Sequence, residues 1–262
     1  MRSGSGILQD KHGCIALAAV WDASQLPDMT STTDVLRLVS RTTQKTARYA
    51  LLGTQPERAQ RVWFALHGYG QLVPRFVRHF AAIIPPDTCL IAPEGLSRFY
   101  LASPSPDGGH LQRVGATWMT REEREHDIAD NIRWLDTVYD DVVGDRIVPV
   151  GVLGFSQGVA TATRWIAAGH PRVDAFVAWA GTLAHDVPPH ALSTALVHAQ
   201  VAVVRGTRDE LMSEDAAASL LGTLQQIAPR TALHRFDGGH QLEGALLSML
   251  LESLSPRGDQ AP

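Results

Sequence analysis

The pentapeptide Gly154-Phe155-Ser156-Gln157-Gly158 sets a serine between two glycines, the pattern of a sharp strand-to-helix turn. In such a turn the serine hydroxyl stands at the carboxyl end of a strand, where it can attack a carbonyl carbon. Chance alone supplies roughly 0.1 such matches in a chain of this make-up, so the pattern needs partners. Without them it fits a glycine-rich turn with a helix-capping serine equally well. A serine becomes a nucleophile when a histidine takes its proton and a carboxylate orients that histidine. Asp209 lies in Gly206-Thr207-Arg208-Asp209-Glu210-Leu211, and His240 in Asp237-Gly238-Gly239-His240-Gln241. With Ser156 they give the chain order Ser, Asp, His, and together they would perform acyl transfer through a covalent intermediate.

Rival assignments exist for each partner. Asp209 also suits the N-cap of a helix starting near Ser213. Asp237 is a second carboxylate, but it sits only three residues before His240 in the same turn, so Asp209 ranks first. His185, His190 and His198 have weaker contexts, and His234 falls inside a strand pattern.

The elements that must position these residues are legible as apolar runs alternating with amphipathic stretches. Strands are expected at 47–52, 62–66, 88–92, 150–154, 175–179, 201–205 and 232–236. Several lack in/out alternation, as strands covered on both faces do. Helices are expected at 120–143, 158–168, 214–227 and 242–254. In the first of them Ile128, Ile132, Leu135, Val138 and Val142 recur at spacings of three or four. Thr120 and Glu123 suggest a capping box at its start, and Gly144 a stop. Such alternation means an α/β domain with a mostly parallel central sheet and helices on both faces. Ligands bind such sheets beyond the carboxyl ends of the strands. Ser156, Asp209 and His240 each follow their own strand, so all three converge on that edge. Pro149 cannot donate to a ladder, which puts the start of its strand at Val150.

Acyl transfer also needs N–H donors aimed at the developing oxyanion. One is expected from Gln157, the residue after the nucleophile. The loop His67-Gly68-Tyr69-Gly70, after the strand at 62–66, lets backbone approach a substrate closely. The segments LHGYG, APEG, GFSQG, WAGTL, GTRDELM and GGHQL occur in that order. With them, residues from about 45 to 252 resemble the carboxylesterase/phospholipase family of small α/β-hydrolases. That family includes acyl-protein thioesterases and broad-specificity short-chain esterases. The resemblance implies that Tyr69 gives the second oxyanion N–H, and that His67 is a buried loop-shaping residue, not the catalytic base. Val159 departs from the family pattern, which often has a small residue there, and this predicts altered packing between helix and strand.

The stretch 97–118 is long and turn-rich. Its Phe99, Tyr100, Leu101 and Trp118 are candidates to roof an acyl pocket, with Leu211 a further pocket candidate; an ordinary surface loop packed by its own aromatics is the alternative. The acidic and histidine-bearing segment 121–127 has no His pair at metal-binding spacing and reads as a solvated helix face. Phosphate-loop and dinucleotide fingerprints are missing as well, so the chemistry is expected to need no cofactor and no metal.

Composition excludes other classes. The 262 residues are 45% apolar and 19% charged, ordinary for a globular protein. A net charge of -4 leaves no basic excess for nucleic acid. Two cysteines, Cys14 and Cys89, make no disulfide framework, which favours a reducing, cytoplasmic setting. No apolar run is long enough to span a bilayer. Residues 14–21 (CIALAAVW) form a short apolar run, but Asp10 and its brevity argue against a secretory signal. The expected organisation is an N-terminal extension or linker at 1–34, one α/β-hydrolase domain at 35–254 and a tail at 255–262. The expected activity is hydrolysis of short- to medium-chain carboxylic esters. Lysophospholipid or thioester hydrolysis comes second, and a non-catalytic hydrolase-fold binding module is the reading from another class. Whether the protein is a monomer or a homodimer is not legible.

Overall fold

The computed structural model describes residues 37–101 and 113–254. The apolar run at 14–21, the linker at 22–34, Cys14 and the tail at 255–262 lie outside the described residues. The chain divides into two compact units, Met1–Lys45 and Thr46–Pro262. In the first, residues 37–45 carry no regular secondary structure.

The second unit is built on seven strands: β1 (Tyr49–Gly53), β2 (Arg61–Leu66), β3 (Thr88–Pro93), and, after a separate hairpin β4 (Ser97–Tyr100) and β5 (Val114–Thr117), β6 (Val150–Phe155), β7 (Ala175–Trp179), β8 (Gln200–Gly206) and β9 (Ala232–Phe236). Their order in the sheet is β1-β3-β2-β6-β7-β8-β9. Within this sheet, among the described residues, only β1 runs antiparallel to its neighbour; β3, β2 and β6 to β9 are mutually parallel. The helices are α1 (Val73–Phe76), α2 (Arg124–Val142), α3 (Gln157–Ala167), α4 (Ser193–Leu196), α5 (Glu214–Ile227) and α6 (Gly244–Ser253).

Burial on both faces explains the unbroken apolar strands. Val62, Phe64 and Leu66 of β2 face one core with Leu135 of α2, Trp165 of α3 and Leu224 of α5. Trp63 and Ala65 of the same strand face a second core with Phe76 of α1 and Leu247 of α6. The period-2 alternation is present, but apolar groups are required at every position. Pro149 sits just ahead of β6, where its carbonyl still accepts from Val62 N–H at 2.9 Å and its missing donor costs nothing.

Two local expectations are corrected. The capping box at Thr120–Glu123 does not form: the helix starts at Arg124, with Glu123 in the left-handed region at φ 48°. The Thr120 N–H is instead taken by Asp127 Oδ2 at 3.1 Å, so residues 120–123 fold as a turn ahead of the helix. The stop is as expected, with Gly144 at φ 52°. The stretch 97–118 is not a plain loop either. Its ends pair as β4 and β5, from Ser97↔Thr117 to Tyr100↔Val114.

Candidate active site

The turn after β6 is strained at one residue. Ser156 has φ 53° and ψ -118°, a region that L-residues avoid. Three glycines make room for it. A Cβ on Gly154 would lie 2.6 Å from the Gly158 oxygen and from Val159, so strand and helix could not cross so closely. A Cβ on Gly158 would overlap the Leu66 carbonyl of β2, and one on Gly181 would overlap the carbonyl of Ser156 itself. Gly181 also admits Val159, whose Cγ2 a Cβ there would meet at 2.8 Å. This is how the larger residue at 159 is accommodated. The Ser156 N–H donates to Trp179 O at 2.9 Å, fixing the turn to the end of β7.

Asp209 and His240 come from the loops after β8 and β9, and those loops remain zipped together beyond the strands. Thr207 N–H donates to Phe236 O and Arg208 N–H to Gly238 O, both at 2.9 Å. A side chain on Gly206 would overlap the carbonyls of Gly238 and Gly239. The Asp209 side chain is fully buried, and His240 Nδ1 lies 3.0 Å from each of its carboxylate oxygens. Asp209 Oδ1 also accepts from the N–H groups of Leu211 at 2.9 Å and Met212 at 3.0 Å. A carboxylate can only accept, so the hydrogen between it and the ring belongs to Nδ1 of His240. Nε2 is then the basic one. The His240 ring lies 5.2 Å from that of Phe155, the residue before the serine. Among the described residues no hydrogen bond joins Ser156 Oγ to a side chain, an open contact common in ligand-free sites.

The rival placements are taken up otherwise. Asp237 pairs with Arg208, not with His240. The cap of α5 is Ser213, which accepts from Ala216 N–H at 3.1 Å, so Asp209 is free of that task.

In the sequence Trp179 ends the strand expected at 175–179 and opens the segment WAGTL, neither of which gives it a place at the site. Its carbonyl holds Ser156, and its indole N–H donates to Gln241 O at 2.9 Å, next to His240. One buried residue thus ties the serine turn to the histidine loop. Nothing in sequence spacing reveals this double contact, because it joins the turn after β6 to the loop after β9 through the end of β7.

The loop after β2 passes the serine closely: a Cβ on Gly68 would lie 3.1 Å from that of Ser156. Neither the Tyr69 N–H nor the Gln157 N–H has a hydrogen-bond acceptor among the described residues. The second is the first N–H of α3, which no helical carbonyl can reach. His67 is fully buried and supports this loop. Gly95 N–H donates to its Nε2 at 3.0 Å, so Nδ1 carries the proton and donates to Gly68 O at 2.8 Å. The ring stacks 4.8 Å from Trp118, whose indole N–H donates to His67 O at 2.8 Å. Burial pushes the His67 pKa down to about 4.

That depression has a sign. Above about pH 6.5 His67 is neutral whether folded or not; below it the unfolded chain gains a proton that the folded chain refuses until about pH 4. Stability should therefore fall as pH drops through this window. Urea unfolding at pH 7 and pH 5 should show the wild type losing about 2 kcal/mol more than His67→Gln. Equal losses in the two proteins would refute a buried neutral imidazole.

The pocket candidates scatter. Phe99 is half-buried, with its ring 5.1 Å from Tyr69. Tyr100 is exposed on the opposite face of β4, away from that contact. Leu101 is partly exposed and lies near Gly70. Leu211 is 77% exposed beside Asp209. Trp118 is no roof: it is 1% exposed, packed on His67, and lines a small cleft with Met119, Ile128, Thr161 and Arg164.

The family model described as Serine hydrolase (FSH1) matches residues 92–242. The chain belongs to the FSH1 serine hydrolase family. As a serine hydrolase it is an enzyme of the α/β-hydrolase fold. No curated protein matches it by sequence. Solved structures do, at low identity. Acyl-protein thioesterase 2 of Zea mays is 15% identical with a TM-score of 0.59, covering 79% of this chain and 97% of that one. A carboxylesterase of Mesorhizobium loti is 17% identical, TM-score 0.59, covering 79% and 95%. Esterase PE8 is 20% identical, TM-score 0.58, covering 80% and 100%. At such identities these likenesses carry the fold of the chain, not its substrate. Among its described residues no helix is long and apolar enough to cross a membrane.

Proposed function

We propose that the protein is a carboxylesterase with Ser156 as nucleophile, His240 as general base and Asp209 as the orienting acid. The reading is carried by the His240–Asp209 pair: a fully buried acceptor-only carboxylate holds Nδ1 and leaves Nε2 basic, beside a serine held in a strained turn. In the reaction, Nε2 of His240 takes the proton as Ser156 Oγ attacks the ester carbonyl. The unpaired N–H groups of Tyr69 and Gln157 hold the oxyanion. His240 then protonates the departing alcohol, and a water activated by the same nitrogen releases the acid.

Neutral small-molecule esters of short to medium acyl length fit best. Phe99 and the exposed Tyr69 and Leu211 offer apolar contact near the serine turn and Asp209, while the described residues include no helical lid domain. No reactant beyond ester and water is needed. With it we propose the organisation read from sequence: an N-terminal extension or linker at 1–34, a hydrolase domain at 35–254 and a tail at 255–262. The test is a fluorophosphonate probe followed by a panel of esters, thioesters and lysophospholipids. Labelling mapped to Ser156, with fastest turnover on short- to medium-chain oxygen esters, is expected. Ligand binding without labelling would overturn catalysis, and a preference for thioesters or lysophospholipids would replace the substrate class.

A further inference from the structure

Two N–H donors stabilise an oxyanion only if they are held at the right separation, and here they come from segments far apart in the chain. We propose that the side chain of Gln157 is a positioning group, distinct from its main-chain N–H. Through β5 it braces both donors into one hydrogen-bonded frame. The inference rests on the oxyanion assignment made above.

The bonds are continuous. Gln157 Oε1 accepts from Trp118 N–H at 3.2 Å and lies 3.0 Å from Thr117 Oγ1, whose single proton it shares with Met119 O at 2.8 Å. Its Nε2 donates to Met119 O at 3.0 Å. The amide is thereby engaged on both ends with the residues that close β5, which leaves it little capacity for substrate. One residue earlier, the same strand holds the other donor. Gly70 N–H donates to Ala116 O at 2.8 Å, and Ala116 N–H donates to Gln71 O at 3.3 Å. This antiparallel bridge flanks Tyr69 directly. A side chain on Gly115 would overlap the Gly70 backbone, so the two chains meet only because glycine is there. From Tyr69 through Gly70, Ala116, Thr117 and Gln157, every link is a covalent or hydrogen bond. Thr117 and Trp118 are each 1% exposed, which keeps water from competing for these bonds.

A displaced donor costs transition-state binding while leaving ground-state binding nearly intact. Gln157→Met keeps the chain length and the main-chain N–H but deletes all three side-chain bonds. With active sites counted by fluorophosphonate titration, kcat should fall about 10- to 100-fold, with KM changed less than about threefold. The Ki of a trifluoromethyl ketone, whose serine adduct carries the oxyanion, should rise in proportion to the loss in kcat/KM. Thr117→Val, which removes one bond, should lose about 3- to 10-fold in kcat, and Thr117→Ser should recover it. The valine–serine pair tests the brace even if the methionine variant fails to fold. Wild-type kcat and Ki in Gln157→Met and Thr117→Val would overturn the brace. So would a loss of kcat that leaves the ketone Ki unmoved. A ketone that fails to inhibit an active wild-type enzyme would overturn the oxyanion assignment itself, and the brace with it.

Discussion

Alanine at position 156 is expected to lower kcat on p-nitrophenyl esters by about 10⁶-fold in a protein that remains folded. In the proposed mechanism Oγ is the atom that forms the acyl bond, and neither His240 nor the Tyr69 and Gln157 N–H groups can replace it. Its removal leaves only the binding and oxyanion contribution over water. The same position separates function from stability. Ser156 holds φ 53° and ψ -118°, and alanine keeps that strain because it keeps Cβ. Glycine does not: the conformation is the mirror image of an ordinary extended one, which glycine adopts freely. Relief of strain is worth about 1–3 kcal/mol, against about 1 kcal/mol of extra entropy lost on folding. Ser156→Gly should therefore melt at or above the wild-type Tm while being as inactive as the alanine variant. Catalysis surviving in either variant would place the nucleophile elsewhere. A Tm for the glycine variant clearly below that of the alanine variant would show that the turn is unstrained.

The parts of this enzyme that could be read from sequence are those where a single local rule dominates. β7 matches its expected range because a strand buried on both faces is apolar throughout, whereas β9, an edge strand with Ala232 and Arg235 exposed, is bounded by the Asp237-Gly238-Gly239 turn that follows it. The serine turn is legible because close approach admits only glycine at 154 and 158. The order of Asp209 and His240 is legible because parallel strands all deliver their following loops to one edge. The hairpin was hidden by a different cause. β4 is Ser-Arg-Phe-Tyr and β5 is Val-Gly-Ala-Thr, short strands with no apolar face of their own. Their stability comes from pairing with each other and, at Ala116, with Gln71 of the loop after β2. Long-range contacts of that sort leave no periodicity. Trp118 misled for a related reason. An aromatic beside a catalytic loop suggests a pocket wall, yet this one spends its ring and its N–H on His67, holding the loop from behind.

Asp209→Asn should be the most damaging substitution that removes no reacting atom, lowering kcat about 10⁴-fold at neutral pH. Asp209 makes two kinds of contact with one group. Oδ1 accepts from the N–H groups of Leu211 and Met212, while both oxygens face Nδ1 of His240 at 3.0 Å. An asparagine has one acceptor and one donor end. Turned so that its oxygen serves the two backbone N–H groups, it points its amide N–H groups at Nδ1. The imidazole must then move its proton to Nε2, and the nitrogen that should deprotonate Ser156 becomes a donor. Turned the other way, it sets its amide against the Leu211 and Met212 donors, leaving them unsatisfied in a buried site at about 1–3 kcal/mol. The first orientation is the stable one, so Asp209→Asn should keep a near-native Tm, bind substrate normally and fail in turnover. The loss should shrink as pH rises, because hydroxide can replace the missing base. Activity within about tenfold of wild type at pH 7 would show that Asp209 does not set the tautomer, and Asp237 would then have to be tested as the acid.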